Sequence, residues 1–442
     1  TTLPRSVANR LEEHPMRIHV FEDAGVKNLH PLTLTRPAFD LRCGAVSLLE
    51  RLERSLPERV SLALVRSELA DLCRLHHPHL QVRESAFREH HADQELVLLV
   101  NARWLAPAER LILPDAPVIA CIGEQTAYAV VPASELRGLS LTNLSWRLAE
   151  WRHKLPNRPA GGRMIDYAWD LIERNGAALE DDYRRWWNEG IPEARGVAIS
   201  GPAERCLVAH SAEIEPMVHI DTRNGPVLID RGAVVQSFSR IEGPCYIGAD
   251  TRIQSARIHG GSIGPQCRIG GEIEASIVHG YSNKAHEGFL GHSYVGEWVN
   301  LAAGTQTSDL RTDYGPIRMT LDDKTINTGL LKIGSFVGDH VKTSLNTLFN
   351  TGSLIGVFGQ LLGGGDLLPR LVPSFCRYGR GKLHERNALR EMFATAQVVM
   401  ARRERQWTDA HAELFFTLFE TTASERRQLL SEGEPGRRRR VV

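Results

Sequence analysis

Hydrophobic residues recur every six positions in the middle of the chain. Five aliphatic residues keep this spacing in strict register: Ile229, Val235, Ile241, Ile247 and Ile253. A helix repeats about every 3.6 residues and a strand about every 2, so neither produces this pattern. Parallel β-helices do, because each six-residue face places one aliphatic side chain inside. The strict register favours a β-helix over a sandwich of short strands.

The period resumes after Ile253 as an aliphatic residue followed by glycine, and the glycines suit corners that require a positive φ. These pairs begin at Ile263, Ile269, Leu290, Val295, Ile333, Val337 and Ile355. We predict a left-handed parallel β-helix of the hexapeptide type over residues 196–365.

Residues 16–165 show a different pattern, in which short apolar runs alternate with helix-like stretches. Strands buried on both faces are typical of such runs. Alternation of strands and helices predicts a mostly parallel, Rossmann-like α/β sheet with right-handed crossovers. The predicted strands lie at 17–22, 60–65, 95–100 and 117–122.

Helical spacing marks the segments on either side of the β-helix. Residues 166–195 are predicted to be a helical linker, and residues 366–432 a helical segment. We expect this second segment to cover the open end of the solenoid, which otherwise exposes a sheet edge. The four arginines within 433–442 could touch RNA or phosphate, but a disordered basic tail is the favoured interpretation.

Composition narrows the class of protein. Hydrophobic residues make up 42% of the 442 residues and charged residues 24%, as in soluble globular proteins. The 53 basic residues balance the 53 acidic ones, so no global field attracts nucleic acid or a membrane surface. No apolar run approaches the ~20 residues of a membrane span, and the first fifteen residues lack the apolar core of a secretory signal. The seven cysteines form no CxxC pair. We expect a cytoplasmic protein.

The loop at residues 21–44 is rich in groups that bind polyphosphates. It follows the first predicted strand and brings together backbone amides, hydroxyls and cations, which suit a phosphate at the carboxyl edge of an α/β sheet. Arginine forks bind phosphate oxygens in pairs. From the residues alone, an ordinary charged surface loop is an equally good interpretation. The residues concerned are Gly25, Lys27, Thr33, Thr35, Arg36 and Arg42.

Four short sequence motifs resemble those of a known family: PLTLTRP at 31–37, LRCG at 41–44, VNAR at 100–103 and WDLIERN at 169–175. They resemble a bacterial family of sugar nucleotidyltransferases with a shortened amino-terminal domain. That family is similar to bifunctional N-acetylglucosamine-1-phosphate uridyltransferase/glucosamine-1-phosphate acetyltransferase. The resemblance implies that a nucleoside triphosphate and a sugar 1-phosphate react with release of pyrophosphate. It implies substrate or phosphate binding by Lys27, Thr35, Arg36, Arg42, Asn101 and Arg103.

The chain departs from the family pattern in the nucleotidyltransferase part. The Gly-rich LxxGxGTR loop and its following PK pair are absent. Asn101 stands where the family has a metal-binding Asp, and an amide is a weaker ligand for Mg²⁺. Asp166 and Asp170 are the candidate carboxylates for Mg²⁺, which would be held mostly by substrate phosphates.

Residues 281–309 resemble the acetyltransferase half of the same bifunctional enzyme. His286 occupies the place of the catalytic base, and histidine titrates near neutrality; a solvated loop histidine is the alternative. Lys284 would share its face and bind the sugar phosphate. Asn300, Asp309 and Tyr314 are candidates to orient the sugar and the base. Small residues would let the pantetheine arm of acetyl-CoA approach at Gly291, Ala303, Gly304 and Thr305.

The resemblance therefore implies a two-domain transferase of UDP-N-acetylglucosamine-type nucleotide-sugar synthesis. Mg²⁺, acetyl-CoA, a sugar phosphate and a nucleoside triphosphate are the expected ligands, and a homotrimer the expected assembly. One alternative is a single-activity hexapeptide acyltransferase, or a nucleotide-sugar-binding scaffold, with a degenerate first domain. Another is a zinc β-helix resembling carbonic anhydrases, for which the candidate ligands are His259, His279, His286, His292 and His340.

Overall fold

The computed structural model describes residues 16–83, 95–186, 197–321 and 324–432. An α/β domain is followed by a parallel β-helix and a carboxyl-terminal helical segment. The basic tail predicted at 433–442 and part of the predicted linker lie outside the described residues. The helices are α1 (Leu48–Ser55), α2 (Ala70–His76), α3 (Leu144–Lys154), α4 (Ala168–Trp186), α5 (Leu389–Ala401), α6 (Asp409–Thr421) and α7 (Ala423–Glu432).

The α/β domain is built on a seven-stranded mixed sheet. Its strands are β1 (Arg17–Phe21), β2 (Val60–Leu64), β3 (Gln81–Arg83), β4 (Leu96–Asn101), β6 (Val118–Ile122), β7 (Gln125–Pro132) and β8 (Asn157–Pro159), while β5 (Trp104–Leu105) and β9 (Arg163–Met164) pair separately. The order is β3-β2-β1-β4-β7-β6-β8. Strand β7 runs antiparallel to both β4 and β6, while the other four strand pairs are parallel, so the prediction of a mostly parallel sheet is confirmed. The two-residue turn between β6 and β7 leaves room only for a hairpin.

The β-helix predicted from the six-residue period is confirmed. Strands stack in parallel from coil to coil, with Ile253 opposite Ile269 and Ile258 opposite Ile273. The five residues that define the period are all buried in one core. The first half of the solenoid contains β10 (Ala198–Ser200), β11 (Cys206–Val208), β12 (Glu213–Ile214), β13 (His219–Asp221), β14 (Val227–Ile229), β15 (Val234–Val235), β16 (Arg240–Ile247), β17 (Arg252–Ile263), β18 (Arg268–Gly280), β19 (Asn283–Lys284), β20 (Phe289–Gly291) and β21 (Tyr294–Glu297).

An excursion from one coil interrupts the second half of the solenoid. Leu310 bridges to Lys332 and closes the base of the excursion, which carries an antiparallel pair of strands, Arg318–Leu321 and Lys324–Asn327. The strands of this half are β22 (Gln306–Thr307), β23 (Arg318–Leu321), β24 (Lys324–Asn327), β25 (Ser335–Val337), β26 (Lys342–Thr343), β27 (Leu348–Phe349), β28 (Ser353–Ile355), β29 (Gln360–Leu362), β30 (Leu371–Val372), β31 (Cys376–Gly379) and β32 (Lys382–Glu385). No helix among the described residues has both the length and the apolarity to cross a bilayer.

One corner of the β-helix carries a ladder of rings on left-handed backbone. Successive coils place Tyr281, Trp298, His340, Phe358 and Phe375 there, with φ between 52° and 60°. Each such residue costs about 1 kcal/mol or more. Consecutive ring centroids lie 4.5, 6.4, 4.7 and 5.7 Å apart, so stacking and burial offset the backbone strain.

The carboxyl-terminal helices pack along this aromatic corner. Phe415 of α6 contacts His340 and Phe358 edge-on, and Phe393 of α5 contacts Phe358. Helix α7 contacts β32 in the last part of the solenoid. Helices α5 and α6 therefore lie beside the corner of the solenoid, and coverage of its open end by this segment stays a prediction.

The α/β domain docks on a face of the β-helix through a shared apolar core. Tyr294 and Phe336 of the solenoid belong to the same cluster of buried residues as the first domain. Helix α4 bridges the two, since the Asn175 Oδ1 atom accepts hydrogen bonds from the Gly44 amide at 2.8 Å and the Ser262 hydroxyl at 3.0 Å. This docking holds the two predicted sites in a fixed relationship.

Candidate functional sites

The first polar cluster lies where β1 and β4 end. Asn101 is the last residue of β4, and Asp23 follows β1. The Asn101 Nδ2 atom donates to Asp23 at 2.8 Å and to the Thr126 carbonyl at 3.1 Å, and its Oδ1 accepts from the Arg103 amide at 2.9 Å. Both donors of this amide and one of the two acceptor positions on its oxygen are therefore taken up within the protein.

Arg103 is the centre of this cluster and is buried. Its guanidinium donates to both oxygens of Asp23, at 2.6 and 2.7 Å, and to Gln125 at 2.8 Å. The remaining contacts go to Asp166 at 3.1 Å and the Ile165 carbonyl at 2.8 Å. A guanidinium has five N–H donors, and all five are engaged here. A substrate phosphate would have to displace one of these partners to bind the Arg103 guanidinium.

Charge and shape both fit this internal pairing. Burial opposes ionisation of Asp23, but the hydrogen bonds and charge of Arg103 overcome it and lower the pKa of the carboxyl group. A Cβ atom on Gly25 would lie 2.4 Å from the Arg103 guanidinium carbon, so glycine is needed at that position. The glycine that we assigned to a phosphate loop makes room for an arginine of the same chain.

The residues at this edge do not fit a ready-made Mg²⁺ site. Asp170 caps α4, because its Oδ2 atom accepts from the amides of Asp166 and Tyr167 at 2.8 and 2.9 Å. Asp166 uses Oδ1 for Arg103 and Gln125. With Asn101 also engaged, the described side chains here do not converge as a metal-binding group. We therefore reassign Asp170 from metal binding to helix capping.

The predicted phosphate-binding set is divided among several places. Arg36 and Thr35 contact the β-helix: the Arg36 guanidinium binds Asp339 through two hydrogen bonds and Glu297 at 3.2 Å, and the Thr35 hydroxyl donates to Asp339 at 2.7 Å. Burial opposes the charged form of Arg36, but the two carboxylates raise its pKa. We reassign Arg36 and Thr35 to domain docking.

Arg42 and Lys27 are also separated from Asn101 and Arg103. Arg42 lies over the Tyr246 ring at 5.5 Å, and its amide donates to the Tyr294 hydroxyl at 2.9 Å. Lys27 lines a cavity of about 290 Å³ together with His30 and residues of β30 and α7. The loop at 21–44 therefore does not form a single phosphate cradle in this structure.

A cleft of about 790 Å³ lies between the α/β domain, the β-helix and the carboxyl-terminal helices. Our sequence reasoning missed it because its walls come from three distant parts of the chain. The His77 ring pairs with Asp40 at 2.8 Å, and burial lowers the pKa of His279 and of His340 well below the ordinary value. Its six histidines are His76, His77, His79, His279, His340 and His411.

The second predicted site lies on the coil around β19. Lys284 is buried, and its ammonium donates to the carbonyls of Gly270 and His286, each at 2.9 Å. Burial lowers the pKa of Lys284 to about 8. The His286 side chain is exposed, and among the described residues its imidazole has no hydrogen-bond partner. Asn300 accepts a long hydrogen bond of 3.4 Å from Asn283. The structure thus joins Lys284 to the backbone, not the side chain, of His286.

Asp309 pairs with a histidine that we did not select as its partner. The Asp309 carboxylate is 2.8 Å from the His292 Nδ1 atom, and Glu274 lies beside them. Glu274, His292 and Asp309 are 18 and 17 residues apart, which is one coil each. This spacing is a signal that the sequence offered, since three six-residue faces bring such residues into one column.

The predicted acetyl-CoA residues have internal roles in the solenoid. A Cβ atom on Gly291 would lie 2.4 Å from Asp309, and one on Gly304 would lie 1.9 Å from Asn346. The Thr305 hydroxyl is 2.9 Å from that of Thr343, and Ala303 is partly buried. Tyr314 is 72% exposed on the excursion. Binding of acetyl-CoA by these residues remains a proposal.

Comparison with known proteins agrees with the sequence resemblance. Residues 18–189 match the family model for sugar nucleotidyl transferases, so this part of the chain is similar to that family. A relative from Sulfurisphaera tokodaii, a bifunctional sugar-1-phosphate nucleotidylyltransferase/acetyltransferase, is 32% identical over 21% of this chain and 23% of its own length. A bifunctional GlmU protein from Methanococcus maripaludis is 32% identical over 41% of this chain and 44% of its own length.

These matches cover less than half of each of those two relatives. Among solved structures, a hexapeptide transferase family protein from Anaplasma phagocytophilum aligns over 46% of this chain and 90% of its own length. The sequence identity is 16% and the TM-score 0.21, too low a likeness to add to the description of the fold.

Proposed function

We propose that this protein is a sugar-1-phosphate nucleotidyltransferase joined to an amino-sugar-phosphate N-acetyltransferase. The observation that carries the proposal is the combination in one chain of a sugar nucleotidyl transferase family domain with a hexapeptide β-helix. The named bifunctional relatives support the same pairing of activities. Acetyl-CoA, a sugar phosphate and a nucleoside triphosphate are the proposed substrates, and a homotrimer the proposed assembly.

In the acetyl-transfer step, His286 would remove a proton from the attacking amine as the carbonyl carbon of the acetyl group becomes tetrahedral. The C–S bond then breaks as the carbonyl re-forms, and coenzyme A leaves as a thiolate that takes up a proton. Exposure suits this role, since the imidazole can reach a substrate without losing an internal hydrogen bond. Lys284 lies beneath the His286 backbone and stiffens the turn that carries it. We propose a positioning role for Lys284 in place of direct binding of the sugar phosphate, and its hydrogen bonds to two backbone carbonyls support that role.

The alternative is a single-activity acyltransferase whose first domain has become a binding scaffold. The closed network around Arg103 favours it, because two carboxylates, a side-chain amide and a backbone carbonyl of the same chain hold every donor of the guanidinium. Catalysis of nucleotidyl transfer would require Asp23 or Asp166 to exchange partners when the substrate binds. Asp166 is the better candidate, since its side chain is 43% exposed.

A two-product assay separates these possibilities. Free thiol would be followed with acetyl-CoA and several amino-sugar phosphates, and pyrophosphate with nucleoside triphosphates and N-acetylated sugar phosphates. Release of both products is the result we expect. Thiol release without pyrophosphate release would support the single-activity acyltransferase. Release of neither product would support the nucleotide-sugar-binding scaffold.

A further inference from the structure

A column of polar side chains stands on the outer surface of the β-helix, separate from the edge of the α/β sheet. Ligand atoms of Glu274, His292 and Asp309 all lie within 4.8 Å of one another. Asp309 is buried, while the side chains of Glu274 and His292 are partly exposed. We propose that this column binds one divalent transition-metal ion, of the Zn²⁺ class.

The donor set suits that class of ion. It offers one imidazole nitrogen and two carboxylates, which are common zinc ligands, with bonds of about 2.0–2.2 Å. The His292 Nδ1 atom already lies 2.8 Å from the Asp309 carboxylate, so a small separation of the pair would admit an ion between them. Three protein ligands leave a coordination position for water, which the exposed sides of Glu274 and His292 allow.

The ammonium group of Lys332 already occupies part of the proposed metal site. The Lys332 ammonium lies 2.6 Å from a Glu274 carboxylate oxygen, so it supplies a positive charge at the proposed metal position. The Lys332 side chain is 43% exposed, so it can move into solvent and leave Glu274 to the metal. Lys332 is therefore the resident counter-charge of the metal-free site.

The position of the column gives the ion a structural consequence. Asp309 precedes the excursion at residues 310–332 and Lys332 ends it, while Glu274 and His292 belong to the two preceding coils. An ion would tie the base of the excursion to both coils. This site needs one histidine from one chain, unlike the three-histidine zinc site that we considered from the sequence.

The test uses full-length, untagged, chelator-treated protein and Zn²⁺ alone, measured by calorimetry, with Co²⁺ absorption as a second readout. We expect one tight site per chain. His292→Gln and Asp309→Asn should each weaken this binding at least about 10-fold, whereas Lys332→Met should strengthen it because the competing ammonium is gone. Neither readout depends on transferase activity, so failure of the proposed function would not affect the result.

His259 provides the matched control. Its Nδ1 atom lies 3.2 Å from Glu242 on the same solenoid, but that pair does not belong to a three-ligand group among the described residues. His259→Gln should leave the tight site unchanged. Equal loss in His259→Gln and His292→Gln, or no stoichiometric binding by either the wild type or Lys332→Met, would overturn the proposal. Circular dichroism confirms that each variant is folded.

Discussion

Arg36 of the α/β domain and Asp339 of the β-helix form a buried, two-pronged ion pair, with N–O distances of 3.1 and 2.7 Å. Both side chains are less than 8% exposed. Arg36 lies in a loop whose composition suits phosphate binding, yet its side chain joins two domains of the chain. The pair joins the α/β domain to the solenoid, so its removal should lower the free energy of unfolding of the protein.

Arg36→Met should lower the free energy of unfolding by about 3–5 kcal/mol, because it leaves the Asp339 carboxylate buried without its cation. Chemical denaturation measures this change. Arg257→Met is the control, since the Arg257–Glu272 pair is exposed and worth about 0–1 kcal/mol. If the two variants lose equal stability, Arg36 is not a docking residue. Unchanged triphosphate affinity in folded Arg36→Met, by calorimetry, would separate docking from phosphate binding.

His286→Ala should reduce acetyl transfer by about 10²–10⁴-fold, the usual contribution of a positioned base. The side chain is exposed and has no internal hydrogen bond among the described residues, so folding should be unaffected. Thiol release measures the rate, and pyrophosphate release on the same sample is the internal control. His210→Ala serves as a second control on another coil of the solenoid. A normal thiol rate in His286→Ala would rule out the assignment.

Asn101→Asp should destabilise the protein by about 1–3 kcal/mol without metal, because it replaces an amide donor facing Asp23 with a carboxylate. The new carboxylate pair should attract Mg²⁺, so added Mg²⁺ should raise the melting temperature of the variant more than that of the wild type. The matched control is Asn143→Asp, which removes an exposed amide hydrogen bond to the Gly138 carbonyl. An equal Mg²⁺ effect on both variants would contradict this prediction.

Lys284→Met should reveal a pH-dependent stability difference from the wild type. Burial lowers the pKa of Lys284 from 10.5 to about 8, so between these values the unfolded chain binds more protons than the folded one. Wild-type stability should therefore rise relative to Lys284→Met as the pH increases from about 8 to about 10.5, by roughly 3 kcal/mol in all. Denaturation at a series of pH values measures this. A difference that stays constant with pH would mean that Lys284 is not buried as described.

Phe358→Ala should cost about 3–5 kcal/mol, because the ring lies between His340 and Phe375 in the aromatic corner. Phe238 is the matched control, with a left-handed φ of 66° against 57° for Phe358, but it is 72% exposed. Phe238→Ala should change stability by no more than about 0.5 kcal/mol. Thermal denaturation compares the two, and similar losses would show that backbone conformation, not ring packing, sets the cost.

The amino-acid sequence by itself determined the local and periodic features of this protein. A β-helix is predicted by the spacing of Ile229, Val235 and Ile241. Each flat face of the solenoid buries one residue, so the six-residue repeat of the structure appears as a six-residue repeat of hydrophobic positions in the sequence. The apolar runs of β1, β2 and β4 identify buried strands in the same way. Strand β7 was not predicted. Its antiparallel pairing with β6 depends on a turn of only two residues.

Only the tertiary structure decided which charged residues meet. Residue type predicts what Arg36, Arg103 and Asp309 can bind, but the partner is set by chain segments up to 303 residues away. Arg103 pairs with Asp23 and Asp166, and Arg36 pairs with Asp339. These pairs form because a buried charge must be paired within the protein when water is excluded. Such long-range pairing leaves no period in the sequence. The roles of these residues therefore follow from the fold, whereas the fold class follows from the repeat.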